Sequence, residues 1–346
     1  MENNKVFASI IVLNYQGEKI IKQTIDSLLE VKYPRGKFEI IIADNHSLDN
    51  STEIIKSYGN GVKYLPFSQN FGFAKGNNLA IKSTHGKYII LLNNDCIVER
   101  NWLSELIKLA DTNPKIFSVG SKIKQYPPSK NTIQNAGSIV FHDGYTKDIG
   151  AIINQDHQQS YEQDSGQYDE PSSVYSTCGA AVLYRRSIMK KIGLLDENFF
   201  MYYEDLEICE RARLCGYQNM YCPTAVAYHN HAQSSKEWSP FFIYHTEKGR
   251  LLHIFYHFPL KVFLTQFVIF TAKSKLRFIR SILIRKNTLR SWQYLKVIFY
   301  FIFSFPKISR KRKLFSRLYT SDKRSKNYHQ ILSGYWYLKK NAYQVI

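Results

Sequence analysis

Short apolar runs alternate with segments of helical period through the N-terminal part of the chain, and this alternation limits the folds open to it more than any other feature. Residues 6–13 form an apolar run of strand length. Residues 20–29 carry apolar side chains at 20, 21, 25, 28 and 29, which a helix gathers on one face. A second run covers 38–43, and Ser51-Thr52-Glu53 opens a second short helix with its cap residues in place. Strands over 62–65 and 88–92 flank a helix over 74–83. The pattern β-α-β-α-β-α-β predicts an α/β fold with a mainly parallel sheet flanked by helices. Near-continuous aliphatic runs such as Ile89-Ile90-Leu91-Leu92 suit strands buried on both faces.

What ends each strand is chemically specific. The first ends in Asn14, the second in Asp44, the third leads to Asn70, and the fourth runs into Asn93-Asn94-Asp95. Ligands of open α/β sheets bind outside the carboxyl ends of the strands. One Asp or Asn per turn is ordinary turn chemistry, but polar groups at four successive strand ends point to a nucleotide site. Gly72 and Gly76 do not make a G-x-G-x-x-G loop, and no G-x-x-x-x-G-K-[ST] occurs. Phosphates must therefore be neutralised in another way. A divalent cation on Asp95, Mg²⁺ or Mn²⁺, would do so, because both favour carboxylate and phosphate oxygens.

Past a helical pattern over 102–110 the chain loses its period. Residues 124–171 are rich in Gln, Asp, Tyr, Ser and Gly and read as a long acceptor-side loop. A strand-like run returns over 174–184, where Thr177-Cys178-Gly179-Ala180-Ala181 permit close approach of a ligand or a helix. Aromatic residues at 199–203 then lead into Glu204, Asp205 and Glu207. Carboxylates suit a helix N-terminus. A carboxylate beside aromatic rings also has the partly dry setting of a general base.

Charge divides the chain of 346 residues in two. Residues 1–240 hold 25 Lys+Arg against 26 Asp+Glu, whereas residues 241–346 hold 22 against 2. The tail carries apolar runs at 251–255, 262–270 and 297–305. Lys273, Arg277 and Arg280 share one helical face, Leu276, Ile279 and Leu283 another, and Arg310-Lys311-Arg312-Lys313 adds a basic cluster. Such helices lie in an anionic membrane interface, where each Lys or Arg contributes roughly 1 kcal/mol. No apolar stretch reaches the roughly 18 residues that span a bilayer, and the first apolar run is short for a signal peptide core. Five cysteines without a Cys-x-x-Cys pair read as reduced thiols of a cytosolic protein. A nucleic-acid-binding protein without enzymatic activity is the alternative for so basic a tail. Carboxylates at the sheet edge would repel a phosphate backbone, so no nucleic-acid partner is expected.

The stretches Ser9-Ile10-Ile11-Val12-Leu13-Asn14-Tyr15, Asp44-Asn45-His46-Ser47-Leu48-Asp49, Asn70-Phe71-Gly72-Phe73, Asn93-Asn94-Asp95 and Glu204-Asp205 stand in an order that resembles family 2 glycosyltransferases. The resemblance is greatest to the rhamnosyltransferase-like group of bacterial and archaeal cell-surface glycan assembly, and it covers residues 6–235. It implies a GT-A fold, with one sugar moved with inversion from a nucleotide diphosphate sugar donor to a hydroxyl of a lipid-linked glycan acceptor. Asn14 and Asp44 would line the pocket for base and ribose, with Asn70, Asn77 and Asn94 in support. Asp95 matches the last position of the family's Asp-x-Asp and would hold the cation, with His229, followed five residues on by Ser234, completing the metal site. Asp205 matches the catalytic base, and Cys178, Gly179 and Glu204 fall on the acceptor side.

Asn93 stands where a strict Asp-x-Asp has its first aspartate, so the cation must lean on the donor diphosphate and on His229. His231 could serve in place of His229, and Glu204 and Glu207 compete with Asp205. A Gln-x-x-Arg-Trp motif of processive synthases is absent. The expected organisation is a GT-A catalytic domain over 1–238, with a nucleotide-sugar half (1–123) and an acceptor half (124–238). A basic helical membrane-association region over 239–346 follows, holding the enzyme to the cytoplasmic face of the cell membrane.

Overall fold

The computed structural model describes residues 7–153, 159–230 and 238–333. Its first elements are β1 (Ala8–Asn14), α1 (Ile21–Leu29), β2 (Phe38–Asp44), α2 (Ser51–Ser57), β3 (Lys63–Pro66), α3 (Gly72–Lys82) and β4 (Tyr88–Asn93). β1 lies between β2 and β4, parallel to both, and β3 runs parallel to β2 on the outer side. The chain therefore steps outward from β1 to β3 and then returns to place β4 on the other side of β1. That reversal opens a crevice at the carboxyl ends of β1 and β4. Register brings Asn14 beside Asp44 and Leu13 beside Asn93 at this edge.

Alternation along each strand covers both faces of the sheet. Ile10, Val12, Ile40, Ile42, Ile90 and Leu92 pack with Ile21, Ile25 and Leu28 of α1. Ile11, Ala43, Ile89 and Leu91 pack with Ala74, Ala80 and Ile81 of α3. Each fully buried large aliphatic side chain contributes about 1.5–3 kcal/mol, and this double burial is why the runs in the sequence are continuous rather than alternating.

β5 (Cys96–Val98), α4 (Trp102–Asp111) and β6 (Ile116–Gln125) follow. The stretch expected to be a long loop carries β7 (Thr132–Asn135), β8 (Ser138–Val140), β9 (Thr146–Asp148), β10 (Ala151–Ile153) and β11 (Gln159–Gln163). β7, β11 and β10 extend the main sheet antiparallel beyond β6, and β8 and β9 form a separate hairpin. Strands of 3–5 residues are too short to show a period in a polar sequence. The run over 174–184 is also divided. β12 (Ser172–Val174) and β13 (Ala181–Arg185) are separate strands, and residues 175–180 form the turn between them. β13 inserts antiparallel between β4 and β6.

α5 (Arg186–Ile192), α6 (Glu204–Leu214) and β14 (Gln218–His229) complete the sheet layer. β14 lies parallel to β6, and its end pairs antiparallel with β5, setting His229 opposite Cys96. Neither β6 nor β14 is foreseen from the sequence. The tail is helical, as expected: α7 (Pro240–His257), α8 (Leu260–Leu283), α9 (Thr288–Phe315) and α10 (Ser321–Leu332). Leu251, Leu252, Ile254 and Phe255 of α7 share one core with Tyr175, Phe199, Leu206 and Leu214. Buried polar contacts add to this packing, including His253 Nε2 to Glu210 Oε2 at 2.7 Å and His257 Nε2 to Glu207 Oε1 at 3.1 Å. Among the described residues, no helix is long and apolar enough to cross a membrane.

Candidate active site

The strand-end residues meet in one buried network. The Asn14 amide donates to Asp44 Oδ1 at 2.9 Å and to Ser51 Oγ at 3.0 Å, and its Oδ1 accepts from Asn94 Nδ2 at 3.0 Å. Asn14, Asp44 and Asn94 thus bridge β2, β1 and the turn after β4. A Cβ on Gly17 would come within 2.1 Å of Asn14 Oδ1, so the residue there must be glycine. Asn70 is reached through Asn45, whose Nδ2 donates to Asn70 Oδ1 at 2.9 Å. Asn45 lies in the stretch Asp44–Asp49, where nothing in the sequence distinguishes it from an ordinary turn residue. Asn77 does not join this network: it is buried on α3, where its amide donates to the Phe73 carbonyl at 3.0 Å.

The pairing of β14 with β5 brings residues far apart in the chain to the next turn of the site. His229 Nε2 lies 3.1 Å from Asp95 Oδ1. The approach lacks hydrogen-bond alignment, and Asp95 Oδ1 is buried without a hydrogen-bond partner among the described residues. Gln134 holds the other ring nitrogen, with Nε2 at 2.9 Å and Oε1 at 3.2 Å from Nδ1. When Oε1 takes the Nδ1 proton, the Nε2 lone pair is left facing Asp95. Cys96 Sγ is also within 4.8 Å of these ligand atoms. Burial pushes its thiol well up, and it donates to the Ala180 carbonyl. The orphaned carboxylate oxygen suits Mn²⁺ or Mg²⁺, with the borderline imidazole nitrogen beside it as a second ligand atom. His231 and Ser234 lie outside the described residues.

The start of α6 lines the same cavity as Asp95 and His229. Asp205 Oδ2 accepts from the Gly179 amide at 2.8 Å, and Oδ1 from the Leu206 amide at 2.7 Å. A Cβ on Gly179 would sit 3.3 Å from Asp205 Oδ2, which explains the small residue in the turn. Phe200, Tyr202 and Tyr203 hold φ of 66, 67 and 71°, a left-handed conformation costly for bulky residues. This contorted approach aims the first carboxylates of α6 into the site.

Three acids stand close together on α6, and their surroundings separate them. Burial, then the charge of Asp205, pushes Glu204 up to about 8, so it holds its proton at neutral pH. Burial also raises Asp205, while its backbone N–H partners favour the charged form. Glu207 faces away: against the cost of burial, Arg211 and His257 bring it down to about 2. Asp95, His229, Cys178, Gly179, Glu204 and Asp205 all line one cavity of about 570 Å³. Gln134 and Asp148 line it too. Nothing in the sequence singles out either residue, because both lie in the stretch whose strands are too short to show a period.

The sequence profile of glycosyl transferase family 2 matches residues 9–193. Among curated relatives, the low-salt glycan biosynthesis hexosyltransferase Agl10 of Haloferax volcanii is 25% identical over 228 residues, covering 64% of this chain and 66% of its own. Rhamnosyltransferase WbbL of Escherichia coli is 25% identical over 235 residues, covering 64% of this chain and 82% of its own. The chain thus spans just under two thirds of the length of Agl10, and 24% of an uncharacterised Sinorhizobium fredii protein 28% identical to it. Staphylococcus aureus TarS 1–349 in complex with UDP-GlcNAc superposes with a TM-score of 0.55 at 17% identity, covering 95% of this chain and 91% of that one. This likeness shows the fold, a GT-A sheet with helices on both faces. With the profile matched across more than half its length, the chain belongs to glycosyl transferase family 2.

Proposed function

We propose that this chain moves one sugar from a nucleotide diphosphate sugar to a hydroxyl of a lipid-linked glycan, with inversion and with Asp205 as the base. The observation that carries this reading is Asp205 itself. Two backbone amides donate to its oxygens and favour its charged form against burial, and it lines the same cavity as Asp95 and His229. Asn14, Asp44 and Asn94 take the base and ribose, with Asn70 in support through Asn45. The acceptor hydroxyl loses its proton to Asp205, which must come within about 3 Å of it. Its oxygen bonds to the anomeric carbon as the bond from that carbon to the diphosphate oxygen breaks, and the electron pair leaves with the nucleoside diphosphate. Attack opposite the leaving group inverts the carbon. Glu204, protonated, donates to the acceptor rather than taking its proton, and Cys178 and Gly179 shape the acceptor side. A Mn²⁺ or Mg²⁺ ion on Asp95 and His229 would neutralise the developing diphosphate charge.

The reading is tested by donor consumption across a panel of nucleotide diphosphate sugars with Mn²⁺ present. The absence of both turnover and binding for every donor in the panel would refute it. Asp95→Ala is expected to weaken donor binding about tenfold or more in Mn²⁺, read by calorimetry, since charge-assisted contacts contribute about 1.5–3 kcal/mol. Unchanged affinity removes Asp95 from the metal role.

The tail supports attachment to an anionic membrane surface on the cytoplasmic side. On α8, Leu264, Val268, Leu276, Ile279 and Leu283 are exposed, and on α9 Ile302 and Phe303 are exposed as well. Lys273, Lys275, Arg277 and Arg280 are exposed among them. Apolar side chains interleaved with cations match a lipid interface of opposite charge. The chain is expected to float with phosphatidylserine-containing liposomes and to lose most of that binding in 0.5 M salt, where screening is strong (a Debye length of about 4 Å). Preference for DNA over liposomes at equal salt overturns this assignment.

A further inference from the structure

The acceptor end of the cavity holds a side chain that the transfer chemistry does not use. Asp148 ends β9 and lines the same cavity as Glu204 and Asp205. Its Oδ1 accepts from Ser138 Oγ at 2.7 Å, and Ser138 is its partner across the β8–β9 hairpin. Ser138 in turn bridges by backbone to Ser176, just before the turn whose Gly179 amide holds Asp205. Asp148 is thus fixed relative to the base through short, buried links. The hairpin itself is pinned to α7. Tyr145 Oη donates to Glu247 at 2.8 Å, and Arg250 Nη1 donates to the Asp143 carbonyl at 2.8 Å. Burial pushes Asp148 up to about 6, with the charge of Asp205 adding to the shift, so it is still ionised at neutral pH.

Two further features bear on what Asp148 meets. Glu204 Oε2 is buried in the cavity wall without a hydrogen-bond partner among the described residues, and the side chain is only 5% exposed. A buried polar atom left this way needs a partner, which a ligand hydroxyl supplies. At the rim, Trp238 is 53% exposed, 6.2 Å from Phe242, which in turn lies 5.2 Å from Tyr202. All three rings line the cavity and offer apolar faces to the C–H face of a pyranose. Beside Asp95, assigned above to the cation, and the protonated Glu204, the cavity is lined by Asp148 and Asp205, with Lys147 the single lysine among its lining residues. Carboxylates accept from hydroxyls and repel phosphates.

Resting on the transferase reading, we infer that Asp148 is a specificity-determining residue that binds a hydroxyl next to the reacting one on an uncharged pyranose acceptor. The cavity thereby rejects acceptors that carry phosphate near the reacting hydroxyl.

The test follows nucleoside diphosphate release from the cognate donor with Mn²⁺ present. Octyl glycosides of glucose, galactose, mannose and N-acetylglucosamine are compared with ribitol 5-phosphate. At least one neutral glycoside is expected to accelerate release, and ribitol 5-phosphate is not. Asp148→Asn keeps an oxygen for Ser138 but loses the charge. Its KM for the active glycoside should rise about ten- to hundredfold, the worth of a hydrogen bond to a charged group, with a smaller change in kcat and in donor Kd by calorimetry. A general structural defect would instead lower kcat and donor affinity together. The inference is overturned if ribitol 5-phosphate serves as well as the glycosides. It is equally overturned if no glycoside accelerates release while donor is still hydrolysed, or if Asp148→Asn leaves the acceptor KM unchanged. Failure to consume any donor would sink the transferase reading itself, which separates the two cases.

Discussion

Asp205→Asn is expected to lose sugar transfer by about 10²- to 10⁴-fold, the range for a removed general base, while donor binding stays close to that of the parent chain. The substitution keeps the shape of the side chain. The asparagine oxygen can keep one of the two backbone amides, that of Gly179 at 2.8 Å or that of Leu206 at 2.7 Å, so the substitution costs one local hydrogen bond at the start of α6 and touches no donor-site residue. What is lost is the carboxyl group that two backbone amides favour in its charged form. Glu204, next in the chain, cannot replace it, because burial and its neighbour push it up to about 8. In Asp205→Asn that neighbouring charge is gone, so Glu204 should titrate lower. Any residual activity is then expected to rise with pH as Glu204 ionises. Single-turnover assays with saturating donor, paired with calorimetry, separate the two effects. Near-parental turnover would remove Asp205 from the role of base, and a large fall in donor affinity would reassign it to the donor site.

Arg211→Ala is expected to destabilise the protein by about 3–5 kcal/mol, the cost of breaking a buried ion pair. Arg211 is 1% exposed, and its guanidinium does several jobs at once. Nε donates to Glu207 Oε1 at 3.0 Å, Nη1 to the Ile192 carbonyl at 2.8 Å, and Nη2 to the Leu194 carbonyl at 2.9 Å. Its charge also lies 4.8 Å from the Phe315 ring of α9. Truncation leaves Glu207 buried without its main counter-charge and two carbonyls without donors. With total stabilities of about 5–15 kcal/mol, urea midpoints should fall markedly. A loss under about 1 kcal/mol would contradict this account. The same pair sets an acid limit. The folded pKa of Glu207, about 2, lies below its ordinary 4.5, so its contribution is complete above pH 4.5 and is lost as pH falls toward 2.

The basic, amphipathic character of the tail was legible as composition, but its role in the core was not. Periodicity and charge identify basic amphipathic helices after residue 240, and the exposed Leu276, Ile279 and Leu283 agree with that pattern. They do not reveal that α7 is buried over much of its circumference, with Glu247, Lys248 and Arg250 inside along with its apolar residues. Polar residues that find partners inside look, in sequence, like a solvated face. Short strands were illegible for a different reason. β8 and β9 have three residues each, and their pairing is set by a glycine turn and by contacts to α7, none of which leaves a period.

The sequence by itself determined the alternating α/β core, the polar residue at each strand end and the basic helical tail, because these depend on local spacing and composition. Only the tertiary structure decided which of those polar residues act together. It joined Asn14 to Asp44 and Asn94, turned Asn77 back onto its own helix, and divided Glu204, Asp205 and Glu207 by burial and neighbours. It also brought His229 to Asp95 through β14, a strand absent from the sequence reading. The physical reason is that pairing register and burial are long-range properties. A side chain's chemistry depends on what the fold places within a few ångströms of it, and here those partners lie 30 positions away for Asn14 and Asp44, 80 for Asn14 and Asn94, and 134 for Asp95 and His229.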